Sequence, residues 1–137
     1  MKINIQQITQ DGLEIEETIP AGVWEMDTPL IRFPDPVKIK GVITRITNAI
    51  TVDLSVRTSV IFVCSRCLEE IKKDIEKELC FNYEALDSQP IIDLDPAVRE
   101  ELILDYPIKP LCDDACKGLC LECGENLNLG LCKCKKR

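Results

Sequence analysis

The chain has 137 residues, 45 % of them hydrophobic, with a formal charge of −7 and a pI near 4.7. That length and apolar content suit one domain with a real core and exclude wholesale disorder. The acidic balance excludes a grip on nucleic acid by bulk charge alone, although a local basic face can still contact RNA.

There is no histidine, which removes the commonest acid–base group near neutral pH, imidazole metal sites and Cys–His nucleophiles. No carboxylate set forms a recognisable catalytic constellation, so no enzyme and no small-molecule substrate are expected. No apolar run approaches the roughly 18 residues that span a bilayer. The first residues, Met1-Lys2-Ile3-Asn4-Ile5-Gln6, lack the apolar stretch of a signal peptide. A cytoplasmic protein without a membrane partner is expected, with its thiols kept reduced.

Lys2 to Ile8 alternates, with Ile3 and Ile5 on one face. Asp11-Gly12 is a turn signal, and Leu13, Ile15, Glu17 and Ile19 share a phase, so the two segments read as a hairpin. Pro20, Pro29, Pro34 and Pro36 preclude long regular elements there. Trp24 and Phe33 are expected to anchor that stretch to the core, with ligand stacking the alternative for Trp24. Val37 to Ile46 reads as a strand with a bulge at Gly41. Ile50, Val52, Leu54, Val56, Val60, Phe62 and Cys64 then form one apolar face, broken by Thr58, against polar Thr51, Asp53, Ser55 and Arg57. Ile61 and Val63 turn apolar as well. One long strand fits, buried on both faces near its end and leading into Cys64.

Glu69 to Tyr83 carries two periods. Ile71, Ile75 and Leu79, with the Glu69/Lys73 pair, suit a helix. The odd phase continues through Phe81 and Tyr83, which suits a strand. Strand is the reading adopted, because a two-cysteine turn between long antiparallel strands makes a natural metal knuckle; helix stays open, since propensity favours it. Glu84 to Asp95 reads as an acidic loop with a short strand at Ile91-Ile92. Asp95 as N-cap and Pro96 at the first helical position start a helix to Asp105 that buries Val98, Leu102 and Ile103. Pro107 and Pro110 stop it.

Eight of the nine cysteines fall into four close pairs: Cys64-x2-Cys67, Cys112-x3-Cys116, Cys120-x2-Cys123 and Cys132-x-Cys134. Two thiolates so spaced grip one tetrahedral ion, and two pairs complete a four-sulfur shell. In a reducing compartment this favours metal over a disulfide scaffold. One or two structural zinc ions are expected. The preferred partition is Cys120, Cys123, Cys132 and Cys134 around one ion and Cys64, Cys67, Cys112 and Cys116 around the other, although spacing alone does not fix connectivity. Two such dianionic units would take the chain to about −11. Gly124 lets the chain turn so that backbone N–H groups face the sulfurs. Lone Cys80 is expected to be a buried, small apolar residue.

Lys117, Lys133, Lys135, Lys136 and Arg137 flank the thiolates. They neutralise the metal centres, or they contact RNA or a ribosomal partner. Arg66 divides the same way. Lys38, Lys40, Arg45 and Arg57 read as one solvated sheet face, with phosphate contact the alternative.

The sequence Cys64-Ser-Arg-Cys67-Leu68, followed by Pro110-Leu-Cys112, Cys116-Lys-Gly-Leu-Cys120, Cys123-Gly and Asn126-Leu-Asn128, resembles the bacterial YceD family of large ribosomal RNA subunit accumulation proteins. The likeness covers about 25 continuous residues at the C-terminal end plus the first cysteine turn; the preceding strands fit only as a hydrophobic pattern. It implies a cytoplasmic, non-enzymatic factor supporting accumulation or maturation of 23S ribosomal RNA, with pre-ribosomal RNA or a large-subunit protein as partner. Some relatives keep only the first cysteine pair. Many continue past the last cysteine into a Pro-Arg-containing segment and a short helix, where this chain departs from the pattern. Two rival readings are an acidic zinc-binding adaptor that never touches RNA and a dithiol redox protein.

The expected fold is α+β: a β-rich antiparallel sheet or partial barrel over residues 1–110, one short helix, and a C-terminal cysteine-rich zinc ribbon over residues 111–137 packed on it.

Overall fold

The computed structural model describes residues 1–86, 88–130 and 132–134. Its strands are β1 (Lys2–Asn4), β2 (Leu13–Ile19), β3 (Ile31–Arg32), β4 (Val37–Ile46), β5 (Ala49–Val63), β6 (Glu70–Glu84) and β7 (Ile91–Asp93), followed by one helix, α1 (Asp95–Leu104). The main sheet is built on β5. β6 runs antiparallel along its whole length, from Ala49 opposite Glu84 to Val63 opposite Glu70. On the other edge β4 pairs with the first half, joined through the two-residue turn Thr47-Asn48, and β3 continues with Ile31 opposite Phe62. β2 lies outside β4, and β1 with β7 forms a separate two-stranded sheet. Among the described residues all pairings are antiparallel and no barrel closes. Among the described residues no strand pairs with the far edge of β6.

Strict alternation along β5 decides which face is buried. Ile50, Val52, Leu54 and Val56 point inward beside Ile39 and Ile43 of β4 and Leu79 of β6. Trp24, Met26 and Phe33 from the proline-rich stretch, with Leu94, Val98 and Leu102 around α1, complete this core. Phe33 and Tyr106 meet with ring centroids 5.7 Å apart. Lys77 shares the inward phase of β6, and its Nζ reaches the Glu101 and Asp105 carboxylates of the helix end, each at 3.0 Å. Desolvation works against its charge, but those carboxylates outweigh it and hold its pKa above the ordinary lysine value.

The odd phase read at Glu69–Tyr83 is strand β6, with no helix. Four other expectations are corrected. β1 and β2 form no hairpin: the Asn4 side chain accepts a bond from the Gln6 N–H and starts a 3-10 turn over Ile5–Gln7. The turn ends β1 after three residues, and β1 pairs with β7 instead. Gly41 makes no bulge, since the register is unbroken on both sides. Its missing Cβ leaves room for the Asp53 carbonyl and the Leu54 side chain. Asp95 lies inside the helix, with Leu94 at the capping position and no side-chain cap bond. Arg45 has the opposite phase on β4 to Lys38 and Lys40, so the four basic residues do not share one face. Lys40 pairs with Glu16 and Arg57 with Glu76, giving a face of mixed charge.

Candidate metal centres

β5 and β6 run together to the end of the sheet that β3 flanks, and the turn joining them carries Cys64 and Cys67. Its backbone is a knuckle: the Cys64 N–H bonds the Glu69 carbonyl at 2.9 Å and the Leu68 N–H bonds the Cys64 carbonyl at 3.0 Å. Leu68 sits at φ +59°. The same pattern recurs at Cys120. The Cys120 N–H bonds the Glu125 carbonyl at 2.8 Å, the Gly124 N–H bonds the Cys120 carbonyl at 2.9 Å, and Gly124 has φ +75°. A single bridge, Leu119 opposite Asn126, flanks this second knuckle as β5 and β6 flank the first.

Two four-sulfur groups result. The sulfurs of Cys64, Cys67, Cys112 and Cys116 all lie within 4.8 Å of one another, as do those of Cys120, Cys123, Cys132 and Cys134. This is the preferred grouping read from the spacing. In the first group Cys64 and Cys116 sulfurs are 3.8 Å apart, and Cys67 and Cys112 sulfurs 3.6 Å. A tetrahedral shell with bonds of about 2.3 Å has sulfur–sulfur edges of about 3.8 Å, against about 2.05 Å for a disulfide. In the second group Cys132 is 3.3 Å from both Cys123 and Cys120. None of the nine cysteines is in a disulfide.

The electrostatics of both groups favour a cation. Backbone N–H groups of Cys67 and Arg66 face the Cys64 sulfur and bring its pKa down to about 6 against the cost of burial. Those of Cys123 and Glu122 do the same for Cys120, also to about 6. The Asn128 amide does most to lower Cys116, donating to its sulfur at 3.2 Å. Their neighbours are driven the other way. Cys112 is pushed up to about 12 by the Cys116 and Cys67 sulfurs, and Cys134 is raised by Cys132 and Cys123. Four crowded sulfurs cannot all carry charge without a positive ion between them. A soft divalent ion that takes four thiolates therefore fits both groups.

The surroundings differ. Cys64, Cys67 and Cys116 are 0, 3 and 6 % exposed. Cys123 is exposed and its three companions half-buried. Ser65 ties the first knuckle to the tail through its N–H and hydroxyl, both on the Pro110 carbonyl at 2.8 and 3.1 Å.

Arg66 is engaged within the chain. Its Nη1 donates to the Cys116 and Asp114 carbonyls at 3.1 and 3.3 Å. Lys117 and Lys133 are exposed beside the sulfurs. Lys135, Lys136 and Arg137, named with them as partner-contact candidates, lie outside the described residues. Cys80 is not buried. It falls in the polar, outward phase of β6 opposite Asp53, whose carboxylate pushes its thiol above the ordinary value. Sequence reasoning gave no role to Asn126 and Asn128; their only signal was their place in the resembling segment.

An antiparallel sheet whose tip and tail gather two quartets of sulfur defines a β-rich protein able to hold metal ions in its C-terminal segment. The family model described as "Large ribosomal RNA subunit accumulation protein YceD" matches residues 52–137, which run from β5 through both cysteine groups. The chain belongs to the YceD family. It is 46 % identical over 43 residues to the chloroplastic "Large ribosomal RNA subunit accumulation protein YCED homolog 1" of Arabidopsis thaliana, covering 31 % of this chain and 13 % of that protein. It is 35 % identical over 72 residues to the protein of the same name from Zea mays, covering 52 % and 24 %. The chain thus spans a quarter or less of the length of these two relatives. "Uncharacterized protein YlbN" of Bacillus subtilis is 24 % identical over 121 residues, covering 80 % of this chain and 70 % of that one. No solved structure matches. No helix among the described residues is long and apolar enough to cross a membrane.

Proposed function

We propose that this protein is a cytoplasmic, non-enzymatic factor that supports accumulation of 23S ribosomal RNA by binding a precursor of the large ribosomal subunit. Both four-cysteine groups hold structural zinc. The observation that carries this reading is the family match over residues 52–137, which takes in β5, β6 and every cysteine of the two groups.

Zinc is the ion of choice because it accepts four thiolates tetrahedrally and has no redox chemistry to expose them to. In the first group it links Cys64 and Cys67 on the sheet tip to Cys112 and Cys116 on the tail. A dithiol oxidoreductase needs an accessible pair. Cys64 and Cys67 are buried and share their space with two further sulfurs, which speaks against that pair as the dithiol. The partner is pre-ribosomal RNA or a large-subunit protein, with exposed Lys117 and Lys133 offered beside the zinc groups. A net charge of −7 and a sheet face with Lys40 and Arg57 already paired to glutamates keep a second reading in play, a contact made through protein.

The test is ultraviolet crosslinking in cells followed by sequencing of the attached RNA, alongside measurement of 23S RNA in cells lacking the protein. Large-subunit RNA attached to the protein, with reduced 23S RNA in its absence, is the expected outcome. Reduced 23S RNA with no attached RNA selects the protein-mediated contact, and unchanged 23S RNA overturns the role. Metal analysis with thiol titration of protein purified under reducing conditions should find two zinc ions and one free thiol, Cys80.

A further inference from the structure

The loop between Cys123 and Cys132 belongs by sequence to the second sulfur group, yet it holds the first. Asn128 donates its side-chain amide to the Cys116 sulfur at 3.2 Å and accepts the Lys117 N–H on its oxygen at 2.8 Å. The Lys117 N–H can only donate, so it fixes which end of the amide faces the sulfur. Asn126 accepts the Asn128 N–H at 3.0 Å and donates to the Glu69 carboxylate at 3.3 Å, just beyond the first knuckle. The Leu127 N–H bonds the Gly118 carbonyl at 2.9 Å. Gly118, at φ +76°, packs on the Arg66 backbone where a Cβ would lie 3.3 Å from its carbonyl oxygen. The Asn126-Leu127-Asn128 segment is therefore a hook reaching both halves of the first group.

What holds the hook in place is the second group. Cys123 and Cys132 pin the two ends of the loop, their sulfurs 3.3 Å apart. Freed at those ends, the loop regains the conformational freedom that a closed loop gives up, and the amide of Asn128 leaves the sulfur. A hydrogen bond to a ligand atom steadies it and draws off part of its charge, and losing such a partner typically costs about 10-fold to 100-fold in metal affinity.

We propose that Asn126 and Asn128 couple the two sulfur groups, so that an ion in the Cys120 group slows release of the ion from the Cys64 group. Asn128 is a positioning residue: it touches a ligand sulfur and takes no place in either shell. The coupling in binding affinity is reciprocal: what the second ion adds to the affinity of the first group, the first ion adds to that of the second. This rests on the reading that both groups bind metal.

The test measures zinc release from the first group into excess chromogenic chelator, with the two sites distinguished by cadmium NMR of cadmium-loaded protein. Four full-length chains are compared: the unaltered protein, Asn128→Ala, the double variant Cys132→Ser/Cys134→Ser, and all three substitutions together. The double variant and Asn128→Ala should each release the first ion roughly 10-fold faster, and their combination no more than about twofold faster again. A double variant that releases the first ion at the unaltered rate overturns the coupling. So do effects that simply multiply in the combined chain. An unaltered protein that takes up fewer than two ions fails earlier, at the stoichiometry, and overturns the metal reading itself.

Discussion

The two cysteine groups use the same ligand, the same knuckle and the same hydrogen-bond pattern, yet they do different structural work. The first draws its sulfurs from positions 64–67 and 112–116, separated by more than forty residues, and buries three of its four cysteines, Cys112 being exposed, at the tip of the longest strand pair. The second takes all four from within fifteen residues and leaves them close to solvent. One closes a long loop and fastens the tail to the sheet; the other shapes the tail. Equal donor chemistry thus gives unequal leverage. With zinc in both groups, as proposed, an apparent binding energy of about 10 kcal/mol would far exceed the closure cost of either loop, and the difference would lie in how much chain each ion orders.

The largest effect that tests this contrast is loss of a ligand from each group in turn. Cys64→Ser should raise amide hydrogen exchange across residues 111–134 by at least about 100-fold while β4, β5 and β6 keep their protection. Cys132→Ser should confine the increase to residues 119–134. Equal spread of exchange in the two variants would erase the distinction. A smaller effect is expected from Arg66→Ala, which removes the clasp on the Asp114 and Cys116 carbonyls. It should cost about 1–2 kcal/mol in denaturant unfolding of the zinc-loaded protein, with Arg66→Lys recovering only part. An unchanged midpoint would show that the Ser65 contacts suffice. The smallest effect comes from a mismatch between the knuckles at the left-handed position. Leu68 occupies the left-handed position that Gly124 fills in the other, and its side chain is 61 % exposed. Leu68→Gly should therefore stabilise the protein by about 1 kcal/mol, seen as a higher thermal midpoint.

What the sequence made legible follows the same division between local and distant causes. β5 was readable because nearly every even position from Ile50 to Cys64 is apolar, and the cysteine groups because ligand spacing is a short-range property. β6 was readable only by setting its phase against its propensity, and the structure sides with the phase. The failures involve partners far away in the chain. Nothing near Lys2–Asn4 announces that β7 will be its neighbour, and nothing near Gly41 announces the backbone of Asp53. Cys80 is the instructive case. The alternation that places Leu79 and Phe81 inward already places Cys80 outward, and the general habit of cysteine to be buried misled where the local pattern did not. The hook formed by Asn126 and Asn128 lay beyond reach, since its meaning depends on which sulfur it meets.

The open rim of β6 has a consequence of its own. Fifteen residues of backbone with one flank unpaired among the described residues are a template on which other extended chains can stack into fibrils. Lys72, Lys73, Asp74, Glu76, Lys77 and Glu78 crowd charge into the middle of that rim, leaving no six-residue window free of charged side chains there for a zipper to start. The charges interspersed along this segment thus work against such stacking.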